Sequence, residues 1–70
     1  MPGTTYKMTT LVGESEAGIE DAVRTALATS AENVRGQTWC EVSDIRASID
    51  ESGAVERWQV QVEVAFEVMS

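Results

Sequence analysis

Residues 57–68, RWQVQVEVAFEV, decide the fold because apolar and largely polar positions alternate through them without interruption. The apolar positions are Trp58, Val60, Val62, Val64, Phe66 and Val68. Successive side chains of a β-strand point to opposite faces of a sheet, so this period of two predicts a long final strand with one apolar face. That face needs a second layer of structure to cover it, and Trp58 is expected in the resulting core.

The preceding residues predict two more strands. Residues 6–12 form the first strand, which Gly13 is expected to end, and residues 38–49 form the second. From position 40, the apolar residues of the second strand lie at even-numbered positions up to Val42 and at odd-numbered positions after it. This change of face indicates either a bulge or partial burial of both faces. Residues 50–53, DESG, have the composition of a hairpin turn into the last strand.

An amphipathic helix is predicted between the first two strands. Ser15 is expected to be its N-cap, and residues 33–36 end it after about five turns. Its predicted packing face consists of Ile19, Val23, Ala26, Leu27, Ser30 and Val34. We therefore expect one domain over residues 1–70, of the α+β class, with β-α-β-β order and a three-stranded antiparallel sheet packed on one helix.

The length of the chain predicts self-association. A chain of 70 residues buries only roughly 60% of its unfolded surface. Cys40 is the only cysteine, so no disulfide within the chain can stabilise the fold. The last two predicted strands, of about 40 Å, are longer than the predicted helix of about 27 Å. The helix cannot cover their ends, which need cover from other copies of the chain. These features predict a homo-oligomer.

The charge of the chain argues against nucleic acids and membranes as partners. Twelve acidic residues against five basic ones give a net charge of −7, and the basic residues are scattered. Nucleic acids and anionic membranes both require clustered positive charge. No apolar run approaches the about 20 residues of a membrane span, and residues 1–5 lack a signal-peptide pattern. We expect a soluble, cytoplasmic protein.

Catalytic patterns are weak, so we predict that the protein is not an enzyme and holds no metal. The sequence has no histidine to act as a general base, to ligate zinc or to activate Cys40, which we interpret as a half-buried strand residue. Asp50 and Glu51 lie in a predicted turn and are most simply solvated. Gly13 and Gly18 lack the spacing and the lysine of a phosphate-binding loop.

Three polar or aromatic residues are candidates for ligand binding, each with a structural alternative. Trp39 begins a strand, where it is either buried between subunits or exposed as a stacking platform for a planar ligand. Gln59 is either solvated or offers an amide donor and acceptor to the edge of a heterocycle. Arg46 either pairs with an acid such as Glu63 or binds a ligand phosphate.

Three segments resemble the dodecin family. Residues 6–7, YK, followed by residues 11–15, LVGES, resemble its first strand and the start of its helix. Residues 33–42, with Trp39 and the pair Glu41-Val42, resemble the segment that enters its second strand. Residues 57–66 are similar to its last strand. The resemblance covers nearly the whole chain, and the order and spacing of the segments make it specific.

The resemblance implies a hollow homododecamer, with trimeric and dimeric contacts, that binds flavin non-covalently as FMN or riboflavin. Flavins in this family stack in pairs at two-fold axes between tryptophans, and the family tryptophan falls on Trp39. The glutamine that bonds the isoalloxazine edge falls on Gln59, and an arginine associated with FMN falls on Arg46. The implied role is storage and sequestration of flavin and quenching of its photochemistry.

Glu67 departs from many bacterial members of the family, which carry an arginine there near the ligand phosphate. A carboxylate repels a phosphate unless Arg46 or a cation compensates, so the preferred flavin stays open. The alternative hypothesis is a structural or interaction homo-oligomer of the same fold, with Trp39 buried and no ligand.

Overall fold

The computed structural model describes residues 3–68, which form three strands and one helix. The elements are β1 (Thr5–Ser15), α1 (Ile19–Asn33), β2 (Gln37–Ile49) and β3 (Val55–Val68). β1 and β2 both pair antiparallel with β3, which gives the sheet order β1-β3-β2. This arrangement confirms the predicted α+β fold. Among the described residues, no helix has the length and apolar character needed to cross a bilayer.

The alternating segment becomes the central strand of the sheet. Val60, Val62 and Val64 are fully buried and form the core with the buried residues of α1. Trp58 continues this row and is half-buried. Because β3 has a partner on each side, its backbone is paired along both edges, whereas β1 and β2 each keep one open edge.

Gly13 does not end the first strand, as the sequence predicted, but lies buried within β1. A Cβ atom at this position would collide with the carbonyl group of Ala22 and lie 3.0 Å from Cβ of Ala26. The glycine therefore allows α1 to approach the strand closely, and the prediction was wrong because this glycine serves packing rather than a turn.

Ser15 is the last residue of β1, opposite Trp58, and the N-cap position of α1 is Gly18. The Ser15 hydroxyl accepts a hydrogen bond from the Ala17 N–H at 2.9 Å and donates one to the Asp21 carboxylate at 2.6 Å. The N-cap prediction was wrong because pairing with β3 holds Ser15 in the strand, from which it still contacts the first turn of the helix.

The packing face of α1 is rotated from the predicted one towards small residues. The buried helix residues are Ala22, Ala26 and Ser30. Val23 and Leu27 pack beside them, whereas Ile19 and Val34 are exposed. Only small side chains fit where the helix lies against the buried glycine of β1, so the bulkier residues move to the margins.

The hairpin between β2 and β3 follows the sequence prediction closely. A register shift between Val42 and Asp44 confirms the bulge. The Gly53 N–H donates to the Asp50 carbonyl at 3.0 Å, and the Asp50 N–H donates to the Ala54 carbonyl at 2.9 Å. Gly53 has φ = 89°, a left-handed conformation that favours glycine.

The helix covers only part of the sheet, because it packs against β1 and β3. Val42 and Ile45 of β2 are 46% and 47% exposed, although their register partners Val62 and Val60 are fully buried. The molecule measures 58 × 21 × 13 Å, because the β2–β3 hairpin continues beyond the end of β1. One side of β2 is therefore apolar and uncovered.

Candidate functional site

Trp39 lies on the face of the sheet turned away from α1, opposite Ala65 of the central strand. Ala65 is fully buried and has a small side chain, whereas Trp39 is 48% exposed. On the other side of β3, the ring of Tyr6 lies 6.0 Å from the ring of Trp39, between centroids, at an angle of 58°. This tilted aromatic contact supports one side of the indole, and nearly half of the residue stays accessible.

Gln59 joins two charged residues on the same face of the sheet. Its Oε1 accepts a hydrogen bond from Nε of Arg46 at 3.0 Å, and its Nε2 donates to the Glu14 carboxylate at 2.7 Å. Arg57 donates to the other carboxylate oxygen of Glu14 at 3.2 Å, and Arg46 also donates to Asp44 at 3.1 Å. These five residues form one polar network across all three strands.

The charges of this network fix the orientation of the Gln59 amide. Only the amide oxygen can accept from Arg46, and only the amide nitrogen can donate to Glu14. The hydrogen bond from Gln59, followed by that from Arg57, lowers the pKa of the Glu14 carboxyl below its ordinary value of 4.5. Glu14 is therefore ionised at neutral pH, and a ligand that uses the Gln59 amide must replace bonds that the protein already makes.

Arg46 forms the ion pair that the sequence predicted as one of two alternatives, with Asp44 rather than with Glu63. Glu63 instead accepts hydrogen bonds from Thr10 at 2.5 Å and from Ser43 at 3.1 Å. The sequence reasoning also missed Glu14, because only the pairing of β1 with β3 places Glu14 opposite Gln59. No pattern within either segment signals that contact.

The structure brings Arg46 and Gln59 together but places Trp39 elsewhere. Trp39 is opposite Ala65 and Arg46 is opposite Gln59, six residues further along β3. At about 3.3 Å per residue, this separation is about 20 Å, which is longer than a three-ring heterocycle. Within one subunit, Trp39 and Gln59 cannot contact the same flavin ring, so a site that uses both residues requires two subunits.

Glu67 lies at the Trp39 end of the sheet. It pairs with Tyr6 in the register, and its N–H donates to the Gly36 carbonyl at 3.1 Å. Its side chain is exposed. Because Arg46 lies more than about 20 Å away along the strand, it does not neutralise the Glu67 carboxylate of its own subunit.

Comparison with known proteins assigns the family. A family model described as Dodecin matches residues 5–69. The chain belongs to the dodecin family. A curated dodecin from Thermus thermophilus is 45% identical over 64 residues, which cover 91% of each chain.

Solved structures of dodecins have the same fold as this chain. The dodecin from Streptomyces coelicolor is 34% identical and superposes with a TM-score of 0.90, covering 100% of this chain and 99% of the other. The tt0972 protein from Thermus thermophilus is 43% identical, with a TM-score of 0.89 and coverage of 97% and 98%. Both matches extend over essentially the whole of each chain.

The polar and aromatic candidate residues of this dodecin lie on one face of the sheet. Dodecins are small flavin-binding storage proteins that associate with copies of themselves. A half-exposed tryptophan and an amide on the open face are suited to a planar heterocycle.

Proposed function

We propose that this dodecin stores and sequesters flavin, FMN or riboflavin, in a homododecamer, with the ligand held non-covalently on Trp39 at a subunit interface. The observation that carries this proposal is the half-exposed indole of Trp39, which Tyr6 supports from one side. Tyr6 and Met8 on the same face are also exposed, at 43% and 42%, and a contiguous exposed apolar patch marks a contact with a ligand or a partner.

The residues available on this face fit a flavin. Trp39 offers a flat apolar surface for stacking, and Gln59 of a second subunit offers an adjacent donor and acceptor to the ring edge. Arg46 uses two of its five N–H donors within the chain and is 45% exposed, so other N–H groups are free to meet a phosphate. The bound flavin supplies the light absorption and the redox chemistry that storage keeps in check.

The balance between Arg46 and Glu67 sets the preferred flavin. Glu67 places a negative charge near Trp39 that opposes the phosphate of FMN, whereas Arg46 attracts a phosphate at the Gln59 position. Riboflavin carries no such charge and is insensitive to both residues. The ratio of the two affinities therefore reports which of these residues lies nearer to the end of the ribityl chain.

We expect the protein to work in the cytoplasm, with flavin and its own copies as partners and without nucleic acid or a membrane surface. The thiol of Cys40 is free, as suits a reducing compartment. The net charge of −7 opposes association with other polyanions.

The test is a fluorescence titration of riboflavin, and separately of FMN, with wild-type protein and two tryptophan variants. Wild-type protein should quench the flavin, because an indole in contact with the ring transfers an electron rapidly. Trp39→Ala should bind at least about fivefold more weakly and lose the quenching, since stacking contributes about 1–3 kcal/mol per aromatic contact. Trp58→Phe, on the helix side of the sheet, is the matched control and should behave as wild type.

One result of the titration would reject flavin storage, and one further variant tests the role of Glu67. If a protein that light scattering shows to be oligomeric does not quench either flavin, the storage hypothesis is wrong and the hypothesis of a structural homo-oligomer replaces it.

Glu67→Arg should strengthen FMN binding relative to riboflavin binding. An unchanged ratio would remove Glu67 from the choice of flavin while leaving the Trp39 site intact.

A further inference from the structure

Trp39 lies on the open face of the sheet because an extra residue in β2 changes the phase of the strand. Gln37 pairs with Phe66 and Trp39 pairs with Ala65, so two steps along β2 match one step along β3. In a regular strand, Gln37 and Trp39 would share a face, but their partners are adjacent residues of β3 and lie on opposite faces. The bulge therefore turns Trp39 from the α1 side of the sheet to the open face. The Thr38 hydroxyl donates to the Ala65 carbonyl at 3.3 Å and ties the bulge to the central strand.

Ala65 is fully buried, although it lies on the face of the sheet that α1 does not cover. The helix packs against the valines on the opposite face of β3. Only side chains of the open face can therefore shield Ala65, and its register partners on the two outer strands are Met8 and Trp39. Side chains of the outer strands thus close over the central strand at this point.

The rings of Tyr6 and Trp39 lean towards each other across the central strand. Tyr6 pairs with Glu67, and Trp39 pairs with Ala65, two residues away on β3. The outer strands are about 10 Å apart and the offset along the strand is about 7 Å, so the two Cα atoms are about 12 Å apart. The ring centroids, however, are separated by only 6.0 Å. Both side chains therefore lie over β3 instead of standing perpendicular to the sheet, and they cover Ala65.

The angle between the two rings gives them different roles. Their planes meet at 58°, so a flat heterocycle that stacks on the indole cannot also lie flat on the phenol ring. Tyr6 therefore adds little stacking area, and its contact restricts rotation of the indole. A side chain that is ordered before binding loses less conformational entropy when the ligand arrives.

We propose that Ala65 and Tyr6 are positioning residues that keep the Trp39 indole ordered for stacking with a planar heterocycle. The methyl group of Ala65 is small enough for both rings to lie over the central strand, and Tyr6 fixes the angle of the indole. The inference rests on the proposed function only in taking the heterocycle to be a flavin. The order of the indole is a property of the protein without ligand.

Time-resolved fluorescence anisotropy of Trp39 in the flavin-free oligomer tests this positioning. Trp58→Phe leaves Trp39 as the only tryptophan and provides the background. In that background, Ala65→Val should increase the fast loss of anisotropy, because the larger side chain pushes the two rings apart. Tyr6→Leu should increase it as well, because the ring that contacts the indole is lost. Tyr6→Phe keeps that ring and should retain the slow decay.

Titration of riboflavin with the same variants measures the consequence for binding. Tyr6→Leu should weaken binding about two- to tenfold, because the indole has to be ordered by the ligand. Ala65→Val should weaken it at least about fivefold, because the displaced indole loses stacking contact. Ala28→Val adds the same two methyl groups on the exposed side of α1, so it is the matched control and should bind as wild type.

The two measurements separate the possible failures. Unchanged anisotropy in both Ala65→Val and Tyr6→Leu would overturn the positioning roles, even if riboflavin binding weakened, because Tyr6 would then contact the ligand directly. Altered anisotropy without a change in riboflavin affinity would overturn the link between indole order and binding. If Ala65→Val does not fold, Tyr6→Leu decides alone, since Tyr6 is 43% exposed on an outer strand. A wild-type oligomer that does not quench riboflavin would overturn flavin storage, and the anisotropy would still decide whether the two rings are coupled.

Discussion

Val62 and Val42 face each other across neighbouring strands, yet one is fully buried and the other nearly half exposed. The difference is that Val62 lies under α1, on the covered half of the sheet formed by β1 and β3. Val42 lies on the uncovered half, which consists of β2 and the hairpin end. The covered half holds the subunit together, and the uncovered half has its apolar surface available for other subunits.

The largest expected effect is at the closest contact of the covered half. Gly13→Ala adds one Cβ atom that collides with the Ala22 carbonyl, so either the helix or the strand has to move. We expect a loss of about 3 kcal/mol, the upper end of the usual range for overpacking, in the free energy of unfolding, measured by urea denaturation with circular dichroism. The control Gly3→Ala, where nothing lies within 4 Å of the added atom, should be neutral. Equal stability of the two variants would mean that α1 does not lie against β1 at this point.

Alanine substitutions of Val62 and Val42 should have an intermediate effect on stability, and they compare the covered and uncovered halves directly. Val62→Ala should cost about 2 kcal/mol in the unfolding of the subunit, because it removes buried methyl groups and leaves a cavity. Val42→Ala should change the unfolding of the dissociated subunit little but should shift dissociation to higher protein concentrations. Urea denaturation at several protein concentrations separates the two effects. Equal losses for both variants in the dissociated subunit would contradict the division into two halves.

The smallest effect concerns the turn at the end of the uncovered half. Hydrogen bonds to Asp50, first from the Ser52 side chain and then from the backbone of Ala54 and Ser52, lower the pKa of its carboxyl. A lowered pKa stabilises the turn above the ordinary value of 3.8, and this contribution disappears as the pH falls through the lowered value.

NMR of the Gly53 and Ala54 amides should follow this loss, with the core amides unchanged over the same range of pH. Asp50→Ala should abolish the dependence on pH, because it removes the titrating acceptor. Glu51→Ala, which alters a neighbouring acid of the turn, is the control and should keep it. A turn that titrates identically in both variants would show that Asp50 does not hold it.

The parts of the fold that depend on local pattern were predictable from the sequence. Strict alternation identified β3, the change of apolar face after Val42 offered the bulge as one of two alternatives, and the composition of residues 50–53 gave the turn. The features that the sequence did not reveal depend on contacts between distant segments. Gly13 was assigned to a strand end, because its contact with Ala22 exists only after the helix folds back on the sheet.

In the candidate site, too, the residue types were predictable from the sequence, whereas their arrangement was not. Trp39, Gln59 and Arg46 were predicted from residue type and family resemblance, and the register places all three on one face of the sheet. Their arrangement depends on the register of β2 with β3, which places Arg46 beside Gln59 and Trp39 about 20 Å away. Glu14 went unnoticed for the same reason, since the pairing of β1 alone brings it to Gln59.

The engagement of Gln59 by Arg46 and Glu14 has a consequence for selectivity. A flavin edge that takes the amide exchanges one set of hydrogen bonds for another, so its net gain is a small difference. A planar aromatic compound without such an edge leaves the Gln59 amide hydrogen-bonded to the protein, so its binding does not bury an unpaired polar group. If the amide had no partners within the protein, the same compound would leave it unpaired and would bind much more weakly. Discrimination therefore falls mainly on stacking and shape. We therefore expect the protein to bind a range of planar aromatic ligands, which suits storage better than selective sensing.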